Sequence, residues 1–324
     1  MTQAWGGGEI ASVDGLRFKV PVKTLNAGYS PPYFGVERGA TWLNMASGPL
    51  GLHGVVVPGT LRDSGRILDV VLEQPTSLRP LEIVSDTAGY ADVVFGLFAL
   101  LGYQFSPRLA DLGDQQLWRL DPKANYGPLN GVARHHIKPD LITRHWDDLL
   151  RVAGSLAEGT IAGSAALRLL QSGGRYSTLG RAMAEYGRIS KSLFMLPYVD
   201  DQAHRRRVLH QINRQEGRHR FARALCYGQK GELRQHYKEG QEDQLAALGL
   251  VLNAAILWNT RYTQRIIETL RTESVEVRPE DIERLSPLGF DHITILGRYQ
   301  FVVPESVRRG EFRPLRPATS TPEA

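Results

Sequence analysis

A mixed α/β sheet followed by a helical region is the architecture this 324-residue chain predicts. Three observations carry it. Ile10, Ser12, Asp14, Leu16, Phe18 and Val20 share one parity, the period-two signature of a half-buried strand. Further strand-like segments follow through residue 120 or so, two of them separated by the apolar helical stretch ADVVFGLFALLG. From about residue 140 to 270 the pattern changes to that of helices.

In chain order, the first strand runs through Asp14 to about Val20, and residues 33–46 and 52–57 continue with aromatic and β-branched side chains, broken by Gly35, Gly39 and Gly48. Pro58-Gly59-Thr60 reads as a turn, and Thr60 or Asp63 can cap a short helix reaching about Leu72. A strand over 81–85 precedes a helix from about Tyr90 to Leu101, closed by Gly102. Residues 103–109 and 115–120 read as short strands. Pro139-Asp140 opens the first later helix, with Ser155, Ser164 and Ser177 as caps or breaks. Residues 245–258 are apolar almost all round the helical wheel and predict a buried helix, after which Tyr262, Ile266 and Leu270 restore a one-sided stripe.

Three antiparallel strands, a helix, a strand, a helix and a strand is the order expected of a ribonuclease-H-like core. The expected organisation is a strand-rich first part of that core over 1–125, carrying Asp14 and Asp86, then a helical insertion over 126–200. A helical part carrying Glu216 follows over 201–305, and a Pro/Ser/Thr-rich tail over 306–324 is expected to be disordered.

The net charge of +5 and the pI of about 9.3 favour a polyanionic partner. One cysteine, Cys226, excludes an internal disulfide and a cysteine zinc site, and reads as a small buried hydrophobe. The longest apolar run, 245–258, is too short to span a bilayer and contains Asn253, and no basic segment followed by an apolar one opens the chain. A cytoplasmic protein without membrane contact is the expectation. There is no GxxxxGK[ST] loop, GxSxG elbow or HExxH pair, so nucleotide-hydrolysing and serine-hydrolase chemistries are excluded. Gly6-Gly7-Gly8 reads as a flexible lead-in.

Three acids carry the chemistry. Asp14 shares parity with Leu16 and Phe18, where a charge is costly unless paired or bound to metal, although Asp14-Gly15 is also a hairpin dipeptide. Asp86 ends the second strand, where open sheets place ligands, and is equally an N-cap for the next helix. The rival Asp92 falls in a helix first turn, which the dipole favours. Glu216 follows Ile212 and Leu209 on one helical face, and Gly217 beside it suggests a kink. Its alternative is a salt bridge within an arginine-rich helix, and Glu232 reads as part of a solvated turn. Carboxylates distant in sequence that converge can hold the paired Mg²⁺ ions of phosphodiester chemistry. The arginines around Glu216 form either a solvated face or phosphate contacts, with His219, Tyr227 and His236 interleaved. His135-His136 lacks metal-ligand helical spacing.

Several segments together resemble one family, the DDE transposases of class II replicative transposons of the Tn-three type. They are WGGGEIASVDGLRF, IVSDTAGYADVVFGLFALLGYQFSPRLADL, INRQEGRHRFARALCYGQKGEL, QLAALGLVLNAAILWNTRYTQRIIETL and LSPLGFDHITILGRYQF, covering nearly the whole chain. The resemblance implies that Asp14, Asp86 and Glu216 are the catalytic, metal-holding triad of a ribonuclease-H-like fold. Arg214, Arg218, Arg220 and Arg223 are the expected DNA contacts. It implies an Mg²⁺-dependent reaction, with Mn²⁺ able to substitute. Water hydrolyses a phosphodiester at each transposon end, and the freed 3′-hydroxyl attacks target DNA to give a cointegrate.

The partners so implied are transposon-end and target DNA, with a homodimer in a synaptic complex, in the nucleoid-associated cytoplasm of a bacterium. Family members are much longer, with N-terminal regions that recognise inverted repeats, so a catalytic-domain piece lacking those regions is expected. The alternative is a non-catalytic remnant that binds DNA or a full-length transposase. One departure stands beside the Glu: Gln215 occupies a position where the resemblance implies a small Gly.

Overall fold

A computed structural model describes residues 8–60, 65–86, 91–109, 111–172, 174–297, 303 and 305–311. The chain divides into two compact units, residues 1–254 and 255–324. The boundary falls inside 201–305, the stretch the sequence presents as one helical part.

The first unit is mixed α/β. Its elements begin β1 (Ile10–Lys19), β2 (Gly28–Tyr29), α1 (Pro31–Phe34), β3 (Arg38–Ser47) and β4 (Leu50–Pro58). They continue α2 (Gly65–Glu73), β5 (Glu82–Ser85), α3 (Asp92–Leu100) and β6 (Gln104–Pro107). β1, β3 and β4 form an antiparallel meander, and β5 and β6 join β1 in parallel through helical crossovers. The sheet order is β2-β3-β1-β5-β6, with β4 also on β3, so β1 is central.

That position corrects the half-buried reading of β1. Ala11 and Val13 enter the main apolar core while Ser12, Leu16 and Phe18 are buried on the opposite parity, because helices cover both faces of a central strand. Residue 33 lies in α1, whose Pro31 occupies the first helical turn, rather than in a strand. The strand expected over 115–120 shrinks to β7 (Trp118–Arg119), which pairs with β8 (His135–His136). Asp63, Tyr90, and residues 312–324 of the expected tail lie outside the described residues; residues 305–308 form a helical turn.

The later helices of this unit are α4 (Pro139–Arg144), α5 (Trp146–Ala157), α6 (Gly163–Leu170), α7 (Thr178–Asp200) and α8 (Gln202–Leu225), with a two-residue ladder, β9 (Gln171–Ser172) and β10 (Arg175–Tyr176), before α7. Of the three serines, Ser177 is the cap: its Oγ accepts the Gly180 N–H of α7 at 3.0 Å. Ser155 lies inside α5, and the start of α6 is capped from α2, where the buried Asp69 accepts the Ser164 N–H at 3.0 Å.

α3 and α7 share one apolar core, in which Phe98 stacks on Phe105 and Phe95 meets Phe194. The two helices cross closely at Gly187, where a Cβ would lie 1.7 Å from the Asp92 carbonyl oxygen. Gly187→Ala gains about 1 kcal/mol of helix propensity, but overpacking against rigid backbone costs roughly 3 kcal/mol. A net loss of about 2 kcal/mol is expected in urea unfolding; an unchanged midpoint would mean the helices separate freely.

α9 (Lys238–Thr272) crosses the boundary between the units. It is not buried all round as its composition predicts. Within the first unit Leu245 and Leu252 are buried but Leu250 and Val251 are exposed; Gly249 lies against the Trp42 ring, so one side alone meets the sheet. In the second unit Ile256 is buried while Leu257 and Trp258 are exposed, and the Asn259 amide donates to the Pro287 and Gly289 carbonyls ahead of α10 (Pro279–Arg284) and α11 (Glu305–Arg308). No described helix is long and apolar enough to cross a membrane.

Candidate active site

Asp14 sits inside β1, opposite Asn44 of β3, and is not a turn residue. Asp86 follows the last residue of β5, one position beyond the registered pair Val13–Ser85. The two aspartates therefore stand side by side on adjacent parallel strands. Asp86 is not the cap of α3, which is Ala91. The rival Asp92 is occupied by Arg188 at 3.0 Å and Lys191 at 3.5 Å, which tie α3 to α7.

Glu216 projects from α8, which packs on β1 through Gln211 and Gln215. Two expectations about it are corrected. α8 runs unbroken through Gly217, and Glu216 is exposed rather than part of a buried face with Leu209 and Ile212. The face that α8 buries runs through His204, Val208, Gln211, Gln215, His219 and Ala222. Most of those side chains are polar, so no apolar stripe announces them. Among the described residues the close base-to-acid contacts of α8 run from Arg207 to Glu82 and from His219 to Asp14, and none to Glu216. Glu232 is held by Arg234 at 2.8 Å.

Asp14 feels both of the other acids. Burial above all, then the charge of Asp86 and more weakly that of Glu216, raise the Asp14 carboxyl above its ordinary value. The Gly15 amide, which donates to it, and the Arg17 charge pull the other way. Arg108, just past β6, lies 3.8 Å from the Asp86 carboxylate. Among the described residues no three acidic, His or Cys side chains are drawn together closely enough to form a finished metal cage.

Beneath Asp14 lies a buried amide network. Gln211 Nε2 donates to Ser12 Oγ at 3.0 Å, and Ser12 donates to Gln215 Oε1 at 3.1 Å. Gln215 Nε2 donates to Asn44 Oδ1 at 2.8 Å. Asn44 Nδ2 is 3.0 Å from His219 Nε2, and His219 Nδ1 is 3.5 Å from Asp14 Oδ2. Burial, with Arg218, Arg223 and Arg17 around it, pushes the His219 imidazole down to about 3, so it is neutral. Gln215 is thus a hub of the network, which is what the side chain does where a Gly was expected. Nothing in the sequence marks Asn44 as a site residue, and the one signal for His219 is its place one helical turn beyond Gln215 and Glu216.

Of the four arginines expected at DNA, Arg220 and Arg223 are exposed and Arg214 is half-buried. Arg218 corrects the expectation: it is 2% exposed, donating to the Pro49 carbonyl at 3.2 Å and to Asn253 Oδ1 at 2.8 Å. Earlier in the helix, Arg207 pairs with Glu82 at 2.7 Å and Arg205 donates to the Tyr198 carbonyl. Cys226, read as buried, is half-buried at the C-cap of α8.

Two carboxylates on adjacent parallel strands, with a third on a helix packed across them, make this a carboxylate-centred α/β domain. Residues 1–299 match the family described as the Tn3 transposase DDE domain, and the chain belongs to that family. It is 54% identical over 312 residues to the transposase for transposon gamma-delta of Escherichia coli strain K12, covering 96% of this chain and 31% of that protein. It is 48% identical over 322 residues to the transposase for transposon Tn4556 of Streptomyces fradiae, covering 99% and 36%. With the transposase for transposon Tn1546 of Enterococcus faecium the identity is 34% over 313 residues, covering 96% and 32%. The chain spans about a third of the length of these curated relatives.

Proposed function

We propose that this chain is the catalytic domain of a DNA transposase, with a ribonuclease-H-like core in which Asp14, Asp86 and Glu216 hold divalent metal. Strand order and parallel crossovers support the fold, and family membership supports the reaction class. The observation that carries the site is the strand register, which sets Asp86 one position beyond the Val13–Ser85 pair and so beside Asp14; the raised Asp14 carboxyl agrees with it. Like charges gathered at the edge of a core are costly unless a cation relieves them. The donor set, carboxylate oxygens alone, suits Mg²⁺, with Mn²⁺ as a substitute, and Mg²⁺ keeps several waters, so a few side chains suffice.

Bound metal would supply Lewis-acid polarisation of a phosphodiester oxygen and a more acidic attacking water or 3′-hydroxyl. Asp14, packed on its amide network, provides the rigid member; Asp86 presents its carboxylate beside Arg108, and Glu216 closes the site from the helix. Exposed Arg220 and Arg223, with the half-buried Arg214, offer phosphate contacts on the same helix. In this reading residues 126–200 are a helical insertion between the strand bearing Asp86 and the helix bearing Glu216. The substrates are transposon-end DNA, cut by hydrolysis to free a 3′-hydroxyl, and target DNA, whose phosphodiester that hydroxyl attacks, joining the strands and releasing a 3′-hydroxyl of the target.

The test is strand cleavage of generic and inverted-repeat DNA with Mg²⁺ or Mn²⁺. Asp86→Asn and Glu216→Gln are each expected to lower metal-dependent cleavage on the order of 100-fold or more, the scale of losing one main electrostatic group. They are also expected to reduce the rise in melting temperature that metal gives. A chain that binds DNA equally well with and without these acids, and never cleaves, would instead be a binding remnant.

A further inference from the structure

We propose that His219 is a positioning residue for Asp14: a neutral imidazole whose Nδ1–H holds the Asp14 carboxylate in one orientation. The inference rests on Asp14 being a metal-holding residue, and it follows from the way the amide network beneath it must be oriented.

Each amide in that network is oriented by a backbone carbonyl, which can only accept. Gln211 Nε2 faces the Ala46 carbonyl at 3.3 Å, Gln215 Nε2 the Asn44 carbonyl at 3.2 Å, and Asn44 Nδ2 the Trp42 and Asp14 carbonyls at 3.2 and 3.3 Å. No amide can be flipped without setting two acceptors against each other. His219 Nε2 therefore meets two amide nitrogens, Asn44 Nδ2 at 3.0 Å and Gln215 Nε2 at 3.3 Å. The Asn44 oxygen is farther, at 3.4 Å, and already accepts from Gln215. Nε2 must then be the acceptor, and in a neutral ring the proton is on Nδ1.

Nδ1 is the atom that faces Asp14 Oδ2, at 3.5 Å. Contacts of this kind are commonly long in ligand-free sites and tighten when the site is filled. The imidazole cannot turn away, because its far side is bonded and it is 8% exposed. Ser12, Gln211, Gln215 and Asn44 thus act through His219 on a carboxylate none of their side chains is shown to touch. Partners of this sort, bonded to a metal-holding side chain, typically set its orientation and its basicity.

Two measurements on the full chain test this. Nitrogen-15 spectra of histidine-labelled protein at neutral pH, without metal, are expected to show the Nδ1–H tautomer for the resonance lost in His219→Asn. An Nε2–H or doubly protonated ring would overturn the proposal. Mn²⁺ affinity, read by the electron paramagnetic resonance of free Mn²⁺, is then compared among the parent, His219→Asn and His219→Gln. Asn places an amide where Nδ1 was and Gln places one where Nε2 was. His219→Gln is expected to weaken Mn²⁺ binding about 10-fold or more, while His219→Asn stays within roughly threefold of the parent.

A merely structural role predicts the reverse order, since Gln preserves the buried bonds to Asn44, and that order would also overturn the proposal. Asp14→Asn is the separate control. If it binds Mn²⁺ like the parent, the metal reading of Asp14 has failed; if it does not and His219→Gln does, only the role of His219 has. Circular dichroism checks each variant's fold, and the tautomer is read on the parent chain whatever the variants do.

Discussion

Asp14→Asn is expected to abolish metal-dependent strand cleavage and, in the same molecule, to raise the melting temperature of the metal-free protein. The first effect is on the order of 1,000-fold in rate, the upper scale for removing a principal electrostatic group. The second follows from what raises the Asp14 carboxyl: burial, then Asp86, then Glu216. Without a cation, ionising this carboxyl costs more in the folded state than in the unfolded chain, and an amide of the same shape removes that cost. The pair of results is what separates a site built for charge from an ordinary core position, where Asp→Asn would be neutral or harmful. A variant that loses cleavage but also melts earlier would show that Asp14 serves the fold.

The pH dependence has a definite sign. A carboxyl raised on folding binds its proton more tightly in the native state, so native protein holds more protons than unfolded protein between the two values. Stability contributed by Asp14 therefore falls as pH rises through that window, and the penalty is complete above it. His219 acts oppositely: held down to about 3 in the fold, it resists the proton that the unfolded chain takes up near 6.5, so its contribution is lost as pH falls below that value. The two slopes oppose each other in the parent. The difference between parent and Asp14→Asn isolates the carboxyl, and the stabilisation from the substitution is expected to be largest at neutral pH and to vanish in acid. Denaturant midpoints across pH 3–8 read it directly.

The legible half of this fold is the sheet. Period-two alternation around Asp14, the Pro58-Gly59 turn and the apolar stretch of α3 closed by Gly102 are local signals, and they give the order of β1, β3, β4, α2, β5, α3 and β6 with small errors at the ends. Burial of β1 on both faces was not legible, because small residues such as Ala11 and Ser12 look alike in a strand whether covered or bare. α8 misled most. Its buried face is assembled from Gln211, Gln215, His219 and Arg218, so hydrophobic periodicity pointed to the wrong side and placed Glu216 in a stripe it does not join. α9 erred the other way, since apolar composition reports what a helix could bury and not how many neighbours reach it. Strand parity made Asp14 a candidate beside a turn reading, and strand end made Asp86 one beside an equal cap reading, whereas Glu216 became a candidate only through the company of its flanking segments.

Arg218→Ala is expected to cost about 3 kcal/mol of stability while leaving the salt dependence of DNA binding unchanged. The guanidinium braces the β3–β4 turn against α9: it donates to the Pro49 carbonyl and to Asn253, whose amide in turn exchanges two hydrogen bonds with Gly51 at 2.9 Å each. The guanidinium packs directly on Gly51, where a Cβ would fall 2.2 Å from Arg218 Nη2 and would displace it. Burial lowers the guanidinium to about 10, so it is still charged at neutral pH, and among the described residues its buried Nε has no hydrogen-bond partner. Such a group is expensive, and its bonds offset the expense only while they are made.

Arg218→Ala removes those bonds and leaves a cavity. Arg218→Met fills the space and sheds the charge, so it is expected to recover most of the loss. The exposed arginines behave differently. Arg220→Ala, and Arg223→Ala, which loses a hydrogen bond to the Arg17 carbonyl, are each expected to lower the slope of log affinity against log salt by about 1 without moving the denaturation midpoint. Arg218→Met binding DNA with a reduced salt slope, at unchanged stability, would return Arg218 to the DNA surface. The opposite outcome makes the basic run of α8 two devices on one helix, one face bracing a turn and the other meeting phosphate.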